Sequence, residues 1–330
     1  MKVFIYSLFV LTLFCGCGKS NIDVSKVDIH LKFKRLDKDI FEQNYDSVIQ
    51  SVPKLRDEYG KFLDLYSTQI LKIGNTSDSA YGYMLREFSN HKDWRDVYIE
   101  TQKVFQNIDK IDQELILAFK HYKYYFPSKL IPDIYYHISG FNQSVVTDSS
   151  LIGIGLDKYL GSKSVFYEYA QIENYRRYNM RPERISPDVM KAWFQMEFPY
   201  NDSVETLVSR MIYEGITLCF MKEMLPNIED SLLIGYSGQQ YNWCIKHQKE
   251  MWDYMIKHKL LYSSEFKDIR TFVNETPFTT LFTKESPGKT GVWMGWQIVK
   301  KFIDDNDYSL PQLVQIRDYH WLFAQSNFKP

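Results

Sequence analysis

The sequence has no excess of charge of either sign. Its 40 lysines and arginines are balanced by 41 aspartates and glutamates, which leaves a formal net charge of −1 at pH 7. Domains that bind nucleic acids carry a clustered basic surplus, because their lysines and arginines neutralise phosphates. The balance therefore predicts no nucleic-acid partner, and it also argues against a long tail of like charge.

Cysteine is scarce, and histidine is spaced poorly for a metal site. Beyond residue 17 only Cys219 and Cys244 remain, and they are compatible either with a disulfide in an oxidising compartment or with two unbridged core side chains. None of the seven histidines forms the H-E-x-x-H pair that places two imidazoles one helical turn apart. A serine-nucleophile motif of the G-x-S-x-G type is also missing. We therefore predict no metal, no cofactor and no catalytic residue.

The triplet Gly288-Lys289-Thr290 ends like a phosphate-binding loop but lacks the rest of that motif. The loop needs a first glycine at position 283, after a buried strand, and this sequence has Thr283. The alternative is a turn that opens an apolar helix. In that helix Gly291 and Gly295, one turn apart, would let the backbone lie close to a neighbour. This second interpretation is favoured, so no nucleotide is expected.

No apolar run approaches the length needed to cross a bilayer, which is about 20 residues. The run over 3–14 is shorter and is soon followed by Gly16 and Cys17. A short apolar region that ends in a small residue and a cysteine is typical of a bacterial lipoprotein signal. We therefore predict a signal peptide over 1–16, cleavage after Gly16, acylation of Cys17 and a polar tether over 17–26. Secretion without lipid and an uncleaved anchor are the alternatives.

The predicted location follows from this signal. The mature protein would be held at a membrane of the cell envelope by its acyl chains, since each buried CH₂ contributes about 0.8 kcal/mol. The residues after the cysteine contain no acidic run that would mark surface export, so we expect the protein to face the periplasm. The sequence does not distinguish the inner from the outer membrane.

Hydrophobic residues make up 45% of the chain, which is ample for a core. Apolar residues recur at helical spacing over 37–126 and again over 186–325, while 131–157 reads as three short strands. We therefore predict a single domain over 27–330, mostly α with α+β character. A small antiparallel β-meander would lie near its middle.

Several landmarks of the second half occur in the order of a known family. They are Gly153 to Gly161, the pair Glu214 and Gly215, the Met224-Leu225-Pro226 that ends its helix, Gly235-Tyr236-Ser237, and the block Pro287, Gly288, Gly291, Trp293, Gly295, Trp296 and Gln297. Behind a lipoprotein signal, they resemble the gliding motility-associated lipoprotein GldB family of the Bacteroidetes. The resemblance covers nearly the whole chain, and the last block is its most specific part.

The resemblance implies an envelope lipoprotein that belongs with the gliding machinery and its associated secretion apparatus. Since catalytic motifs are missing, we expect a non-catalytic structural or assembly component. Its expected partners are the lipid bilayer, through acylated Cys17, and other envelope proteins. Members of the family also occur in species that do not glide, so the resemblance does not imply a gliding host.

The same region is distantly similar to zincin-type metallopeptidases. In those enzymes a helix carries two zinc-binding histidines and a general base, and a later glutamate is the third ligand. Glu214 could occupy the later position, but the helix before it, 186–197, contains no histidine. One alternative is therefore a degenerate or cryptic zincin-like scaffold. In the other, Glu214 is a buried carboxylate bonded to a neighbouring arginine or tyrosine.

Aromatic residues are abundant, at 16% of the chain. Exposed rings could stack on sugars, so a glycan- or peptidoglycan-binding lipoprotein is a further alternative. Tyrosine that is spread along a whole sequence is more typical of packing in and just below the core.

Overall fold

The computed structural model describes residues 22–201 and 205–330. They form many helices around one small sheet, which confirms the predicted fold class. The strands are β1 (Phe33–Arg35), β2 (Asp133–His137), β3 (Val145–Asp148) and β4 (Leu151–Gly155). The helices are α1 (Leu36–Phe41), α2 (Ser47–Leu65), α3 (Tyr81–Asn90), α4 (Lys92–Val104), α5 (Asp109–Tyr125), α6 (Val165–Tyr169), α7 (Asn174–Arg177), α8 (Ile185–Glu197), α9 (Leu207–Met224), α10 (Asp230–Ile234), α11 (Gly238–Lys246), α12 (Gln248–Lys257), α13 (Phe266–Val273), α14 (Thr290–Asn306), α15 (Leu310–Leu313) and α16 (Tyr319–Ser326).

The sheet is mixed, so the prediction of an antiparallel meander over 131–157 is wrong. Its order is β1-β2-β4-β3, in which β2 runs parallel to both β1 and β4, and β3 pairs antiparallel with β4. Only Ser149 and Ser150 connect β3 to β4, and so short a connection gives an antiparallel hairpin. The longer segment between β2 and β3 takes the chain past β4 to the edge of the sheet, so β4 lies beside β2.

The two central strands are covered on both faces, as parallel strands usually are. All five residues of β4 are buried. On one face, Phe62 of α2 stacks on Tyr135 with ring centroids 4.3 Å apart, and it fills the space beside Gly153. On the other face, Tyr136 donates a hydrogen bond to Asp112 of α5 at 2.5 Å. The sheet therefore lies in the middle of the molecule.

Helices α9 and α14 form the closest helix contact. A Cβ atom on Gly295 would overlap the main-chain carbonyl of Met211, and one on Gly215 would overlap the carbonyl of Gly295 and meet Val299. The predicted role of the two α14 glycines is thus confirmed for Gly295 against α9, and Gly291 lies against Phe272 of α13. Successive residues of α9 meet successive residues of α14 in the same chain direction, so the two helices are parallel.

The start of the described chain packs on the body. Val24 is only 4% exposed, so part of the predicted tether over 17–26 is held against the protein. The predicted signal peptide, Gly16 and Cys17 lie outside the described residues. No helix within 22–201 or 205–330 is both long enough and apolar enough to span a membrane.

One local expectation needs correction, and the structure matches one of the two alternatives left open for the cysteines. Helix α8 begins at Ile185, one residue before the start expected for the region 186–325, and Ser186, inside the helix, donates to Glu114 of α5 at 3.0 Å. For the cysteines, the structure has the second of the two alternatives. Cys219 in α9 and Cys244 in α11 are both buried, and no disulfide joins them.

Candidate functional site

One face of α8 is polar along its whole length. Asp188, Lys191 and Gln195 recur at three- and four-residue spacing, and Arg184 directly precedes the helix. Residues at this spacing share one side of a helix. The opposite side carries Trp193, which is fully buried. Helix α8 therefore separates the apolar core from a polar surface.

The polar side of α8 forms one wall of a cavity of about 920 Å³, here called the polar cleft. Its other walls come from the loop after β2, the turn after β4 and the region of α6 and α7. Its charged lining residues are Lys158, Glu173, Arg176, Arg184, Asp188, Lys191 and Glu275. Four cations thus accompany three carboxylates, so the cleft is strongly polar but carries little net charge.

In the wall of the polar cleft, Lys191 covers Glu214 of α9. The Lys191 Nζ atom donates to Glu214 Oε2 at 3.0 Å. The lysine side chain is 37% exposed and the glutamate side chain 11%, so the ammonium group faces the cleft and the carboxylate lies behind it. The negative charge of Glu214 raises the pKa of Lys191. The partner of Glu214 is therefore a lysine, not the expected arginine or tyrosine.

A second ion pair fixes the start of α8. Arg184 donates to Asp188 one turn later, and also to the main-chain carbonyls of Leu232 and Leu233. Tyr159, which follows β4, donates to the other carboxylate oxygen of Asp188 at 3.0 Å. Burial raises the pKa of Tyr159 well above its usual range, so this hydroxyl stays a neutral donor. Internal bonds therefore hold both charged groups in place.

The rim of the polar cleft after β2 is held by Asp157. This carboxylate is fully buried and accepts hydrogen bonds from the main-chain N–H groups of Ser139 and Phe141 at 2.8 and 2.6 Å. The Ser139 hydroxyl adds a third bond at 3.0 Å. Burial raises the pKa of Asp157, while these hydrogen bonds lower it. The loop that carries Phe141 into the cleft is thus fixed by a carboxylate from the turn after β4.

Lys289 lies in an adjoining cavity of about 520 Å³. Its Nζ atom is 3.7 Å from Glu275. Burial lowers the pKa of Lys289 to about 8, and the nearby positive charges of Lys191 and Arg184 act in the same direction. Asn179 and Glu275 line both cavities, so the polar cleft continues toward Lys289.

The Gly288-Lys289-Thr290 triplet makes its contacts inside the protein. A side chain at Gly288 would overlap the carbonyl of Thr276. Lys289 donates to the Ile234 carbonyl at 3.1 Å, and the hydroxyls of Thr290 and Thr279 are 2.9 Å apart. The triplet is therefore a packing motif that joins α14 to the segments before it.

The predicted motif residues divide between packing and the polar cleft. Glu214 lies behind the cleft wall, whereas Gly215, Gly291, Gly295, Trp293 and Trp296 are buried where α14 meets its neighbours. Pro287 accepts a hydrogen bond from the Thr279 main chain at 3.0 Å, and Gln297 donates to the Trp293 carbonyl at 3.4 Å. The motif thus marks how the C-terminal helices assemble.

Sequence reasoning missed the residues that line the polar cleft on α8. Arg184, Asp188, Lys191 and Gln195 follow one another by four, three and four residues. The polar stripe on this otherwise apolar helix is visible in the sequence. The stripe alone predicts only a face exposed to solvent, however, since the other walls of the cleft come from distant segments.

The residues around Glu214 do not form a zincin-like ligand set. Within 22–201 and 205–330, no three histidine, cysteine, aspartate or glutamate side chains lie close enough together to hold a metal ion. On the side of α8 that faces Glu214, the side chain that meets this carboxylate is Lys191. Its ammonium group supplies the positive charge that a metal would otherwise bring to the carboxylate.

A comparison with family models identifies the chain. The model described as gliding motility protein GldB matches residues 17–330. The chain belongs to the GldB family. It is therefore a gliding-motility-associated lipoprotein, and the lipoprotein character of the GldB family points to a membrane anchor in the cell envelope. The match starts at Cys17, the residue predicted to carry the lipid.

No curated protein and no solved structure matches the chain. The GldB assignment thus stands on the family model together with the motif block around α14. In that block, Gly288 and Gly295 lie so close to neighbouring backbone that neither position has room for a Cβ atom.

Aromatic residues of this GldB family member serve packing in many places. Trp193, Trp293 and Trp296 are fully buried. The most exposed rings, Tyr169 at 78% and Phe266 at 74%, belong to different elements, α6 and α13.

Proposed function

We propose that the protein is a lipid-anchored, non-catalytic component of the gliding machinery that acts by contact with another envelope protein. The observation that carries this proposal is the Lys191–Glu214 pair. Lys191 covers the carboxylate that a hydrolase of zincin type would use, at 3.0 Å. The lysine ammonium balances the charge of this carboxylate and occupies one of its oxygens, which favours a role in shaping the cleft wall over activation of a metal or a water.

The polar cleft is the proposed contact site. Several of its charged groups are already paired, as Arg176 is with Glu173 at 3.3 Å and Arg184 is with Asp188. A cleft of this kind has both donors and acceptors but little net charge. It therefore suits a polypeptide segment, whose backbone offers donors and acceptors together.

The first test removes both charges of the Lys191–Glu214 pair. The double variant Lys191→Met with Glu214→Gln should fold and should restore spreading of a gliding relative that lacks its own GldB to the same extent as the wild-type chain. Replacing an ion pair by uncharged groups of similar volume is often close to neutral. Colony spreading and protein abundance in the envelope fraction are the measurements.

The single variant Lys191→Met is the control, because it leaves Glu214 without its partner. We expect lower abundance for it, since an uncompensated buried charge is costly. Loss of spreading by the double variant at normal abundance, with its crosslinks to envelope proteins retained, would contradict the proposal and indicate a chemical role for Glu214. Stoichiometric metal in the purified protein that disappears with Glu214→Ala would point the same way.

The second test fills the polar cleft. Gln195 is exposed on the cleft face of α8, and Gln195→Trp should block entry without disturbing the core. We expect loss of spreading and loss of crosslinks to envelope proteins, with unchanged thermal unfolding. Gln50→Trp, on the exposed side of α2, is the matched control and should behave as wild type. Equal crosslinking by both variants would show that the contact lies elsewhere.

A further inference from the structure

Helix α5 has one buried face and one exposed face. On the buried face, Phe119 and Tyr122 each contact Trp193 of α8, with ring centroids 5.9 Å apart in both pairs. On the exposed face, Leu117 and Tyr124 are seven residues apart and therefore point the same way. Their exposed fractions are 38% and 50%. Between them on that face lies Lys120, which is half-buried.

The segment from α5 to β2 is basic and apolar. No aspartate or glutamate occurs over 115–132, whereas Lys120, Lys123 and Lys129 do. Leu130, in the loop after α5, is 71% exposed. Lysines beside exposed tyrosine and leucine are the composition of surfaces that bind the headgroup region of anionic bilayers.

Two carboxylates contact this segment, and both are engaged. Glu197 of α8 pairs with Lys129 at 2.5 Å, and Glu223 of α9 accepts a hydrogen bond from Tyr125. Lys123 donates to the Lys129 carbonyl at 2.9 Å. Glu197 balances Lys129, whereas Lys120 and Lys123 have no carboxylate partner among the described residues, so these two lysines give the exposed surface of α5 its positive charge.

The anchored end of the chain lies beside this surface. Ile22, the first described residue, lines a groove of about 500 Å³ together with His121 and Tyr125 of α5 and with the C-terminal ends of α9 and α14. Cys17 is five residues earlier in the sequence, and five fully extended residues span at most about 18 Å. An acylated Cys17 therefore brings the bilayer within that distance of the end of α5. This step rests on the proposed lipid anchor.

We propose that the outer face of α5, with Leu117, Lys120, Tyr124 and Leu130, lies against the headgroup region of an anionic phospholipid bilayer. The side of the groove formed by the end of α14 is less suited to contact with an anionic bilayer. That side carries the exposed residues Asp304, Asp305 and Asp307. Lys301 pairs with Asp305, and an anionic surface repels the other two carboxylates. The protein therefore contacts the bilayer through α5.

The orientation has a consequence for the polar cleft. Trp193 faces α5, and Asp188, Lys191 and Gln195 lie on the opposite side of α8. The order from the membrane outward is therefore α5, α8 and the polar cleft. A cleft that opens away from the bilayer is accessible to a protein partner and not to lipid.

The test measures the distance of single labelled positions from lipid. The full lipoprotein is reconstituted in vesicles of phosphatidylethanolamine and phosphatidylglycerol, with a fluorophore on Leu117→Cys, Tyr124→Cys or Gln195→Cys. Cys219 and Cys244 are buried and should not react. We expect lipid-borne nitroxide quenchers to quench the labels at 117 and 124 strongly and the label at 195 very little. Equal quenching at all three positions, or more at 195, would overturn the proposed surface.

Charge provides a second arm of the experiment. Lys120→Gln should weaken the association of α5 with the vesicles about fivefold, the loss expected for one lysine at an anionic surface. The Tyr124 label would then be quenched less, as it would in vesicles without phosphatidylglycerol. Lys54→Gln, an exposed substitution on α2, should leave quenching unchanged. Quenching that ignores both Lys120 and phosphatidylglycerol would overturn the anionic-surface assignment.

Mass spectrometry of the same samples separates the anchor from the surface. An acylated Cys17 with equal quenching at 117 and 195 would contradict the α5 surface alone. A terminus without fatty acid, with quenching still confined to 117 and 124, would contradict the lipid anchor alone and leave the α5 surface supported.

Discussion

Replacing Gly295 by alanine is expected to destabilise the protein by about 3 kcal/mol or more, because the added methyl group has no space. Its Cβ would overlap the carbonyl carbon and oxygen of Met211, which belong to the α9 backbone. A flexible side chain could move aside, but a helix backbone cannot do so locally. Helices α9 and α14 would have to separate along their contact, which would loosen the packing of Trp293 and Trp296. Urea unfolding followed by tryptophan fluorescence measures the change.

Gly238 offers the matched control. It is the first residue of α11, and a Cβ atom there would meet nothing within 4 Å. Gly238→Ala should therefore be neutral or stabilise the protein by up to about 1 kcal/mol, since alanine is the better helix former. If Gly295→Ala and Gly238→Ala unfolded at the same urea concentration, the close contact between α9 and α14 would not exist in solution.

The sequence was most informative where local chemistry decides the structure. The glycine spacing of α14 predicted a close helix contact, and the structure has one at Gly295. Helical periodicity over 37–126 and the strands within 131–157 also correspond to observed elements. The predicted strand direction was wrong, because the order of β2 and β4 in the sheet depends on where the chain passes after His137. That path is set by the Asp157 bonds to Ser139 and Phe141, and residue spacing carries no trace of them.

The polar cleft could not be predicted in the same way. A polar stripe on α8 predicts a face exposed to solvent, and Lys191 fits that prediction equally well. Its pairing with Glu214 requires α8 and α9 to pack at one particular register, which depends on tertiary contacts. The cleft thus depends on tertiary packing, whereas the α14 motif can be recognised from the local sequence.

His137 is expected to make the protein lose stability steeply as the pH falls below about 6.5, by about 1.4 kcal/mol per pH unit. The side chain is fully buried in β2, beside Phe62 and Tyr66 with ring centroids 5.7 and 5.3 Å away. Neither ring nitrogen has a hydrogen-bond partner among the described residues. Burial lowers the pKa of His137 to about 3, because the charged form would lose its hydration.

The sign follows from the two protonation equilibria. Above pH 6.5 the imidazole is neutral in both the folded and the unfolded chain, so His137 adds no pH dependence. Between about pH 6.5 and 3 only the unfolded chain binds the proton, so acid favours unfolding throughout this window. Burial raises the pKa values of Asp112 and Asp157, which act with the opposite sign at the lower end. The comparison between variants is therefore made between pH 6.5 and 5.

His137→Leu isolates the contribution of the imidazole, since leucine has similar volume and does not titrate. The free energy of unfolding of this variant should change much less between pH 6.5 and 5 than that of the wild type, where we expect a loss of about 2 kcal/mol. Replacement of the exposed His30 by leucine should keep the wild-type slope. A wild-type slope in His137→Leu would mean that the β2 imidazole reaches water or a partner in the folded protein. The covered sheet described above would then have to open on the α2 side.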